Sequence, residues 1–371
     1  MFVALSFIGK LPEYILDCVH QIRLFFDGEI VLIIDDLQSP FIKDLTQKYK
    51  VTIVNYNEVY SSEFFQCYQK NKQKFHVCGW LNGRELLFIR CFERFFLLGN
   101  AMKKHNLTDC FFMELDNLIY DDPRVWLDEF KKWNMCFMFD NYDRAASGVM
   151  YIKDSQSMDG LLEYLIEFIN IWEKDTEIWL SEMVMLYGYY LSTSEYNVQF
   201  LPTFWSEKLC FSHSGHQRWS PNTTNSEGCF APDRVWSESE AHNNESLPSA
   251  NFDKYNNTIF DAAAIGVMLY GSDTGDKYNP GEIGTKNKLS LIDYTPYKLV
   301  WKMDEKNRNI PYFCIEYPVK INDSSTNVSE IQENKEKYIK INNLHVHCKN
   351  LTPGLSTPRY SSLQHLYMKM I

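Results

Sequence analysis

The chain has 371 residues, of which 45% are hydrophobic, so it can build a substantial core and a wholly disordered protein is excluded. Its 37 basic and 48 acidic side chains give a formal net charge of −11. We therefore expect no nucleic-acid partner and no binding to anionic membrane surfaces, because both depend on clustered Lys and Arg.

The N-terminal segment, the apolar stretches and the cysteines indicate the cellular compartment. The first eight residues are apolar, but no basic segment or small-residue cleavage site accompanies them, so they read as a strand and not as a signal peptide. No stretch approaches the roughly 20 apolar residues of a transmembrane segment. The ten cysteines lack CxxC spacing. We expect free thiols and a cytoplasmic protein, in the host cytoplasm if it is viral.

Strand and helix patterns alternate along the first half of the chain. An apolar run over 2–8 predicts a strand, helical spacing over 11–26 predicts a helix, and 29–34 predicts a second strand, which together form a βαβ unit. Further helices are predicted over 41–49 and 85–104, and further strands over 51–54, 110–116, 135–139 and 148–152. This alternation predicts an α/β fold with a mainly parallel sheet flanked by helices.

Composition changes divide the rest of the chain. Helices are predicted over 158–172 and 177–191, and 338–351 is strand-like. Residues 205–259 are rich in Ser, Asn, Pro and Gly and contain Trp205, Trp219 and Trp236. We predict an α/β core over 1–204, a loop-rich insertion over 205–259 that contacts an acceptor, and a loop-rich C-terminal part over 260–371 that completes the core.

Acidic residues follow the predicted strands, where ligands gather in open α/β sheets. Asp35 and Asp36 follow the second strand, and Glu114 and Asp116 end an otherwise apolar run. Carboxylates at i and i+2 of an extended segment point to one face and suit a divalent cation. The alternative is an acidic turn whose carboxylates accept backbone N–H groups.

A second motif lies at 343–350, Asn-Leu-His-Val-His-Cys-Lys-Asn. On a strand, His345, His347 and Lys349 would share one face. Imidazole binds divalent metals, and an ammonium group suits a diphosphate. The alternative is an edge strand with a polar face.

The order of these motifs resembles the GT-A class of nucleotide-sugar-dependent glycosyltransferases, including bacterial and large-virus members. The resemblance rests on the N-terminal βαβ unit and on short segments at 112–120 (FMELDNLIY), 146–150 (ASGVM), 260–266 (FDAAAIG) and 343–351 (NLHVHCKNL). It extends from residue 2 to about residue 351. It implies a GT-A-like, Rossmann-like fold and a nucleoside-diphosphate sugar donor, with UDP as the class-wide default.

The resemblance also implies a cofactor, Mn²⁺ or Mg²⁺. Glu114 and Asp116 take the place of the metal-binding DxD, with Asp116 as the direct ligand. His347 corresponds to the late metal-binding histidine, and His345 is the alternative one pleat away. Lys349 would contact the diphosphate.

Donor-binding positions follow from the same resemblance. Arg90 would face the diphosphate, with Arg94 as the alternative one helical turn later. Gly148 belongs to the loop near the donor sugar, and Asp35 or Asp36 would bind the base. The nucleotide-binding set predicted from the sequence is Ser6, Phe7, Asp35, Asp36, Arg90, Arg94, Gly148 and Lys349.

Two carboxylates are candidates for the catalytic base. Glu182 directly precedes residues 183–191 of a predicted helical segment, and the base lies at the start of a helix in inverting members, although an acidic residue there also complements the helix dipole. Asp261 lies before an apolar run whose burial would raise its pKa, although it could equally cap the following alanines.

The resemblance implies an inverting transfer of a hexosyl or pentosyl group to a hydroxyl of a glycan or another acceptor. One alternative is a nucleotidyltransferase acting on sugar phosphates, but the joint after the first strand, at 7–12, is poor in glycine for a phosphate loop. The other is a non-catalytic carbohydrate-binding protein of the same fold.

Overall fold

The computed structural model describes residues 1–75, 85–141, 144–172, 180–192, 197–203, 251–270, 298–304, 310–316 and 338–359. Within these ranges the strands are β1 (Phe2–Phe7), β2 (Ile30–Ile34), β3 (Val51–Asn55), β4 (Cys110–Met113), β5 (Asn117–Ile119), β6 (Met135–Asn141), β7 (Arg144–Ile152), β8 (Val198–Leu201), β9 (Thr258–Ile259), β10 (Lys298–Asp304), β11 (Ile310–Glu316), β12 (Tyr338–Ile341) and β13 (Asn343–His345). The helices are α1 (Ile15–Phe25), α2 (Tyr56–Val59), α3 (Ser62–Asn71), α4 (Glu85–His105), α5 (Leu127–Phe130), α6 (Ser155–Ile171), α7 (Glu182–Leu191) and α8 (Ala264–Tyr270).

A sheet of seven strands, in the order β3-β2-β1-β4-β7-β6-β8, organises the described residues. Strands β3, β2, β1 and β4 run parallel to one another, and so do β6 and β8. Strand β7 is antiparallel to both of its neighbours, β4 and β6. The prediction of an α/β fold with a mainly parallel sheet flanked by helices is confirmed.

The sheet forms where the sequence is uniformly apolar. All five residues of β2 are buried, as expected of a parallel strand covered on both faces. Helix α4 lies over the sheet with Phe95, whose ring is 6.5 Å from that of Phe112 in β4. The Arg94 guanidinium lies over the Phe112 ring at 5.8 Å. The packing of α4 thus directs Arg94 toward the carboxyl end of β4.

Element boundaries differ locally from the predictions. Helix α1 begins at Ile15, although the apolar spacing begins at residue 11, because residues 8–14 form the loop between β1 and α1. Where a helix is predicted over 41–49, a single π-helical turn spans Asp44–Lys48.

Two smaller sheets bring the C-terminal part to the core. One has the strand order β10-β11-β12-β9, and the other pairs β13 with β5 in antiparallel register. Between β12 and β13, Asn342 donates its N–H to the Ile259 carbonyl and accepts the Tyr120 N–H, both at 2.8 Å. The Tyr120 and Phe313 rings stack at 5.7 Å. These contacts fix the register that brings residue 345 beside residue 117.

Several sequence predictions lie outside the described residues. They concern residues 205–250 of the predicted insertion, with Trp205, Trp219 and Trp236, and part of the helix predicted over 177–191. The division into 1–204, 205–259 and 260–371 stays a prediction. Among the described helices, none combines the length and apolar character needed to cross a membrane.

Candidate metal and active site

A tight turn directly after β4 forms the first part of the site. The strand ends at Met113, Glu114 follows it, and residues 115–116 turn into β5. The Glu114 N–H donates to the Gly148 carbonyl at 2.9 Å, and the Glu114 carbonyl accepts the Asn117 N–H at 3.1 Å. The prediction of one extended strand over 110–116 is therefore wrong at its end. A turn, and not strand alternation, presents the two carboxylates.

The pairing of β13 with β5 places an imidazole against this turn. His345 is the ladder partner of Asn117, and the Val346 N–H donates to the Asp116 carbonyl at 2.8 Å. His345 Nε2 lies 3.3 Å from a carboxylate oxygen of Glu114 and 3.3 Å from one of Asp116. The ligand atoms of Glu114, Asp116 and His345, which we call the triad, all lie within 4.8 Å of one another.

The neighbouring histidine lies differently from the prediction. Strand β13 ends at His345, residues 347–348 form a turn, and Lys349 has a φ of +60°. The prediction that His345, His347 and Lys349 share one strand face is therefore wrong. The His347 ring lies 4.6 Å from the His345 ring, and burial lowers its pKa to about 4. The alternative ligand, His345, is the histidine that joins the carboxylates.

Two cationic side chains compensate the carboxylates. The Lys349 ammonium donates to Asp116 Oδ2, and the Arg94 guanidinium donates to Glu114 Oε1. Arg94 also donates to Ser147 Oγ at 2.5 Å and lies 3.4 Å from Glu182 Oε1. Arg94 is thus the arginine at this site.

Arg90, the first choice from the sequence, has different partners. Its guanidinium donates to Glu93 on the same helix, and Glu93 accepts the Tyr56 hydroxyl at 2.7 Å. The structure therefore places Arg90 in a separate ion pair, one helical turn from the carboxylate cluster.

The electrostatics of the triad follow from burial and charge. Burial raises the pKa of Asp116, but the charges of His345 and Lys349 outweigh it and hold that pKa well below the usual range. Burial alone would raise the pKa of Glu114, but the charge of Arg94 outweighs it and leaves that pKa below its usual value. Burial lowers the pKa of His345, yet Asp116 and Glu114 leave it raised. The carboxylates therefore stay ionised and attract a cation or a proton.

Gly148 provides space for this arrangement. A Cβ at Gly148 would lie 2.9 Å from His345 Nδ1 and 3.3 Å from Asn117 Nδ2. The distance to His345 Nδ1 is shorter than real Cβ contacts, so a side chain here would require the imidazole to move. The predicted contact of Gly148 with a donor sugar stays a prediction, and the structure supplies a different reason for glycine.

The two candidate bases have different surroundings. Glu182 is the first residue of α7, only 7% exposed, and burial raises its pKa against the opposing charge of Arg94. Asp261 is 2% exposed, and both of its oxygens accept backbone N–H groups, including those of Ile265 and Gly266. Asp261 therefore caps α8, which is the alternative that the sequence left open.

The predicted nucleotide positions lie at the carboxyl ends of β1 and β2. Asp35 Oδ1 accepts the Gly9 N–H at 2.7 Å, and Asp36 Oδ2 accepts the Leu11 N–H at 3.1 Å. Ser6 and Phe7, at the end of β1, are half-buried. Since β1 and β4 are parallel neighbours, these residues share one edge of the sheet with Glu114.

Sequence reasoning missed other parts of the site. Tyr14, before α1, lies close enough to Lys349 and Asp116 to interact with their charges, and burial raises its pKa to about 12. Asn343 donates to Asn117 Oδ1 at 2.8 Å. The Asn342–Asn343 pair in a buried strand could have indicated such a network, but nothing in the sequence indicates Tyr14.

The triad fits a divalent cation. Two carboxylate oxygens and an unprotonated imidazole nitrogen are all acceptors, so their approach requires either a proton on Nε2 or a bound cation. His345 Nδ1 is buried without a hydrogen-bond partner among the described residues. Carboxylate ligands suit Mg²⁺ and Mn²⁺, and the imidazole favours Mn²⁺ of the two. Arg94 and Lys349 also supply positive charge to these carboxylates.

No protein-family model and no curated protein sequence matches the chain. Solved structures with partial likeness include the PaToxG glycosyltransferase (TM-score 0.34, 12% identity, 52% of this chain and 68% of that one) and mouse xyloside xylosyltransferase 1 (0.37, 12%, 55% and 86%). A putative glucose-1-phosphate thymidylyltransferase from Bacillus anthracis is another (0.31, 12%, 54% and 86%). At these scores, function has to be inferred from the site itself.

Proposed function

We propose that this protein is a metal-dependent glycosyltransferase that moves a sugar from a nucleoside-diphosphate sugar, UDP-linked by default, to a hydroxyl of a glycan or another acceptor. The observation that carries the proposal is the convergence of Glu114, Asp116 and His345 at the carboxyl edge of the parallel strands. Lys349 and Arg94 add positive charge beside them. This combination suits the binding of a cation together with a diphosphate.

Glu114, Asp116 and His345 would hold the ion, Mn²⁺ in preference to Mg²⁺. When bound, a divalent cation neutralises charge on the leaving diphosphate. The chain's own contribution is to keep the two carboxylates ionised and His345 Nε2 directed at them, as the contacts at 3.3 Å favour.

The cationic residues have distinct roles in the proposal. Lys349 is 39% exposed at its side chain, so its ammonium can turn from Asp116 to a diphosphate oxygen. Arg94 is 12% exposed and holds Glu114 and Ser147, so it orients a triad carboxylate instead of leaving it for the donor. The nucleoside would lie along the ends of β1 and β2, against Ser6, Phe7 and Asp35 or Asp36.

Glu182 is the proposed catalytic base. It shares the Arg94 guanidinium with Glu114, which supports its location beside the reacting groups. Its carboxylate would take the proton of the acceptor hydroxyl as that oxygen attacks the anomeric carbon, with inversion. Asp261 is less suited, because backbone N–H groups occupy both of its oxygens. Residues 205–259 are the proposed acceptor region.

The decisive test is calorimetric titration of UDP and GDP with and without Mn²⁺. We expect binding of one nucleotide that strengthens when Mn²⁺ is present, because the diphosphate and the triad would share the ion. Absence of binding for both nucleotides would contradict the proposal.

A second assay separates the reaction classes. Incubation with nucleotide sugars should release a nucleoside diphosphate, and Glu182→Gln should slow transfer to a hydroxyl by roughly 100-fold or more. Formation of a nucleotide sugar from a nucleoside triphosphate and a sugar 1-phosphate would instead identify a nucleotidyltransferase.

A further inference from the structure

The Asp261 carboxylate joins α8 to the strand that carries His345. Asp261 Oδ1 accepts the N–H groups of Ala263 at 3.0 Å and Ile265 at 2.9 Å. Asp261 Oδ2 accepts those of Gly266 at 2.9 Å and His345 at 3.1 Å. Hydrogen bonds to an ionised acceptor are the strong ones, so this buried carboxylate fixes the backbone of a triad residue directly.

The backbone around Asp261 is shaped for this contact. Ala263 has a φ of +100°, which an L-residue with a Cβ adopts only at an energetic cost. A Cβ at Gly266 would lie 1.8 Å from the His345 carbonyl oxygen, so the first turn of α8 lies directly against the His345 backbone. A simple helix cap needs neither feature.

The same network reaches the carboxylate side of the triad. Asn343 Oδ1 accepts the Asp261 N–H at 3.1 Å, and Asn343 Nδ2 donates to the Asp261 carbonyl at 3.1 Å and to Asn117 Oδ1 at 2.8 Å. Asn117 directly follows Asp116 in the chain. Asp261 and Asn343 therefore connect the segments that carry all three triad residues.

We propose that Asp261 is a positioning residue that holds His345 at the carboxylates and thereby sets the affinity of the triad for Mn²⁺. The identity of the ion rests on the proposed function, whereas the positioning of the imidazole does not. Metal sites depend on such supporting hydrogen bonds, whose loss typically weakens binding by about 10- to 100-fold.

Asp261→Asn tests the proposal, because an amide keeps the size of the side chain but sets donors against the N–H groups it contacts. Asp154→Asn is the matched control, since Asp154 caps α6 by accepting the Ser157 N–H at 2.8 Å. We expect Asp261→Asn to weaken Mn²⁺ binding by about 10- to 100-fold in calorimetry, and Asp154→Asn to leave it unchanged.

A metal-free readout separates this inference from the proposed function. The ¹⁵N NMR signals of the His345 ring should shift in metal-free Asp261→Asn and stay in place in Asp154→Asn. If the wild type binds no Mn²⁺ but the His345 signals shift in this way, positioning is supported and the metal function fails.

Should Asp261→Asn not fold, Asp261→Glu gives the same test, because it keeps a carboxylate but moves it by one methylene group from the N–H groups of Gly266 and His345. Wild-type Mn²⁺ affinity and unchanged His345 signals in the folded variant would overturn the proposal. A large loss of turnover in Asp261→Asn at unchanged Mn²⁺ affinity and unchanged His345 signals would also overturn the proposal, because it would indicate that Asp261 is a catalytic base.

Discussion

Two acidic strand ends lie on the same edge of the sheet and differ in what stabilises them. At the end of β2, Asp35 is exposed and Asp36 half-buried, and both accept N–H groups of the loop that follows β1. At the end of β4, Asp116 is 4% exposed and contacts Lys349 and His345. The carboxylates at the exposed end of β2 need only backbone N–H groups from the neighbouring loop. Asp116, at the buried end of β4, needs cationic side chains from distant segments of the chain.

This difference bears on function. Each β2 carboxylate accepts one backbone N–H group from the loop that follows β1, so these residues shape that loop and can recognise a neutral group. The Asp116 carboxylate stays ionised in a buried place, and in the proposed function a divalent cation takes the place of the Lys349 ammonium beside it. The following predictions test whether the two ends behave differently, from the largest expected effect to the smallest.

Asp116→Asn should reduce both turnover and Mn²⁺ affinity by about two orders of magnitude or more, because a metal ligand supplies several kcal/mol of stabilisation. Asp36→Asn should weaken nucleotide binding only a few-fold and leave Mn²⁺ affinity unchanged. Calorimetry and initial rates measure both effects. Equal losses of Mn²⁺ affinity in the two variants would remove the distinction between the strand ends.

Arg94→Met should lower the free energy of unfolding by about 2 kcal/mol, because Glu114 loses the charged hydrogen bond from Arg94 and keeps only the contact with His345. Arg90→Met is the matched control. The Arg90 side chain is 38% exposed and pairs with Glu93, so its loss should cost less than about 1 kcal/mol. Denaturant titration compares the two, and a larger effect at Arg90 would contradict the assignment of Arg94 to the site.

Gly148→Ala should weaken Mn²⁺ binding by about tenfold, because its Cβ would push the His345 ring from the carboxylates. Gly99→Ala is the control with a similar steric conflict, since its Cβ would lie 2.8 Å from Leu162 Cδ1 between α4 and α6. This control should lower thermal stability without changing Mn²⁺ affinity. An unchanged affinity in Gly148→Ala would show that the imidazole does not bind the ion from this position.

The metal-free protein should lose stability in acid partly through Asp116. Its pKa in the folded state is below the unfolded value, so folding favours the ionised form. The resulting stability is full above pH about 4 and is lost as the pH falls toward the folded-state pKa. Unfolding free energies measured across this range with a chelator present should fall less steeply for Asp116→Asn, and parallel curves would speak against the ionic contacts of Asp116.

The sequence predicted the fold and the edge of the sheet where the carboxylates of the candidate site lie, because both follow from local patterns. The apolar runs at 2–8 and 29–34 with a helix between them permit little except a parallel pair. An abrupt change to Glu114 and Asp116 after a buried strand likewise indicates polar groups at a strand end. Such signals need no knowledge of distant contacts.

The partners of these carboxylates could not be predicted, because they depend on packing between distant segments. Lys349 is 233 residues from Asp116. Choosing His345 over His347 requires knowing that β13 ends at residue 345, and its pairing with β5 sets that end. The choice between Arg90 and Arg94 depends on how α4 is rotated against the sheet. The proposed role of Asp261 rests on the backbone N–H groups around it, which no local sequence pattern indicates.

Pulsed EPR of the Mn²⁺-loaded protein with ¹⁵N-labelled histidine tests the central claim most directly. The triad predicts a ¹⁵N hyperfine coupling from one directly bound imidazole, which disappears in His345→Gln and persists in His347→Gln. A coupling that persists in His345→Gln, or none in the wild type, would contradict a metal site built from Glu114, Asp116 and His345.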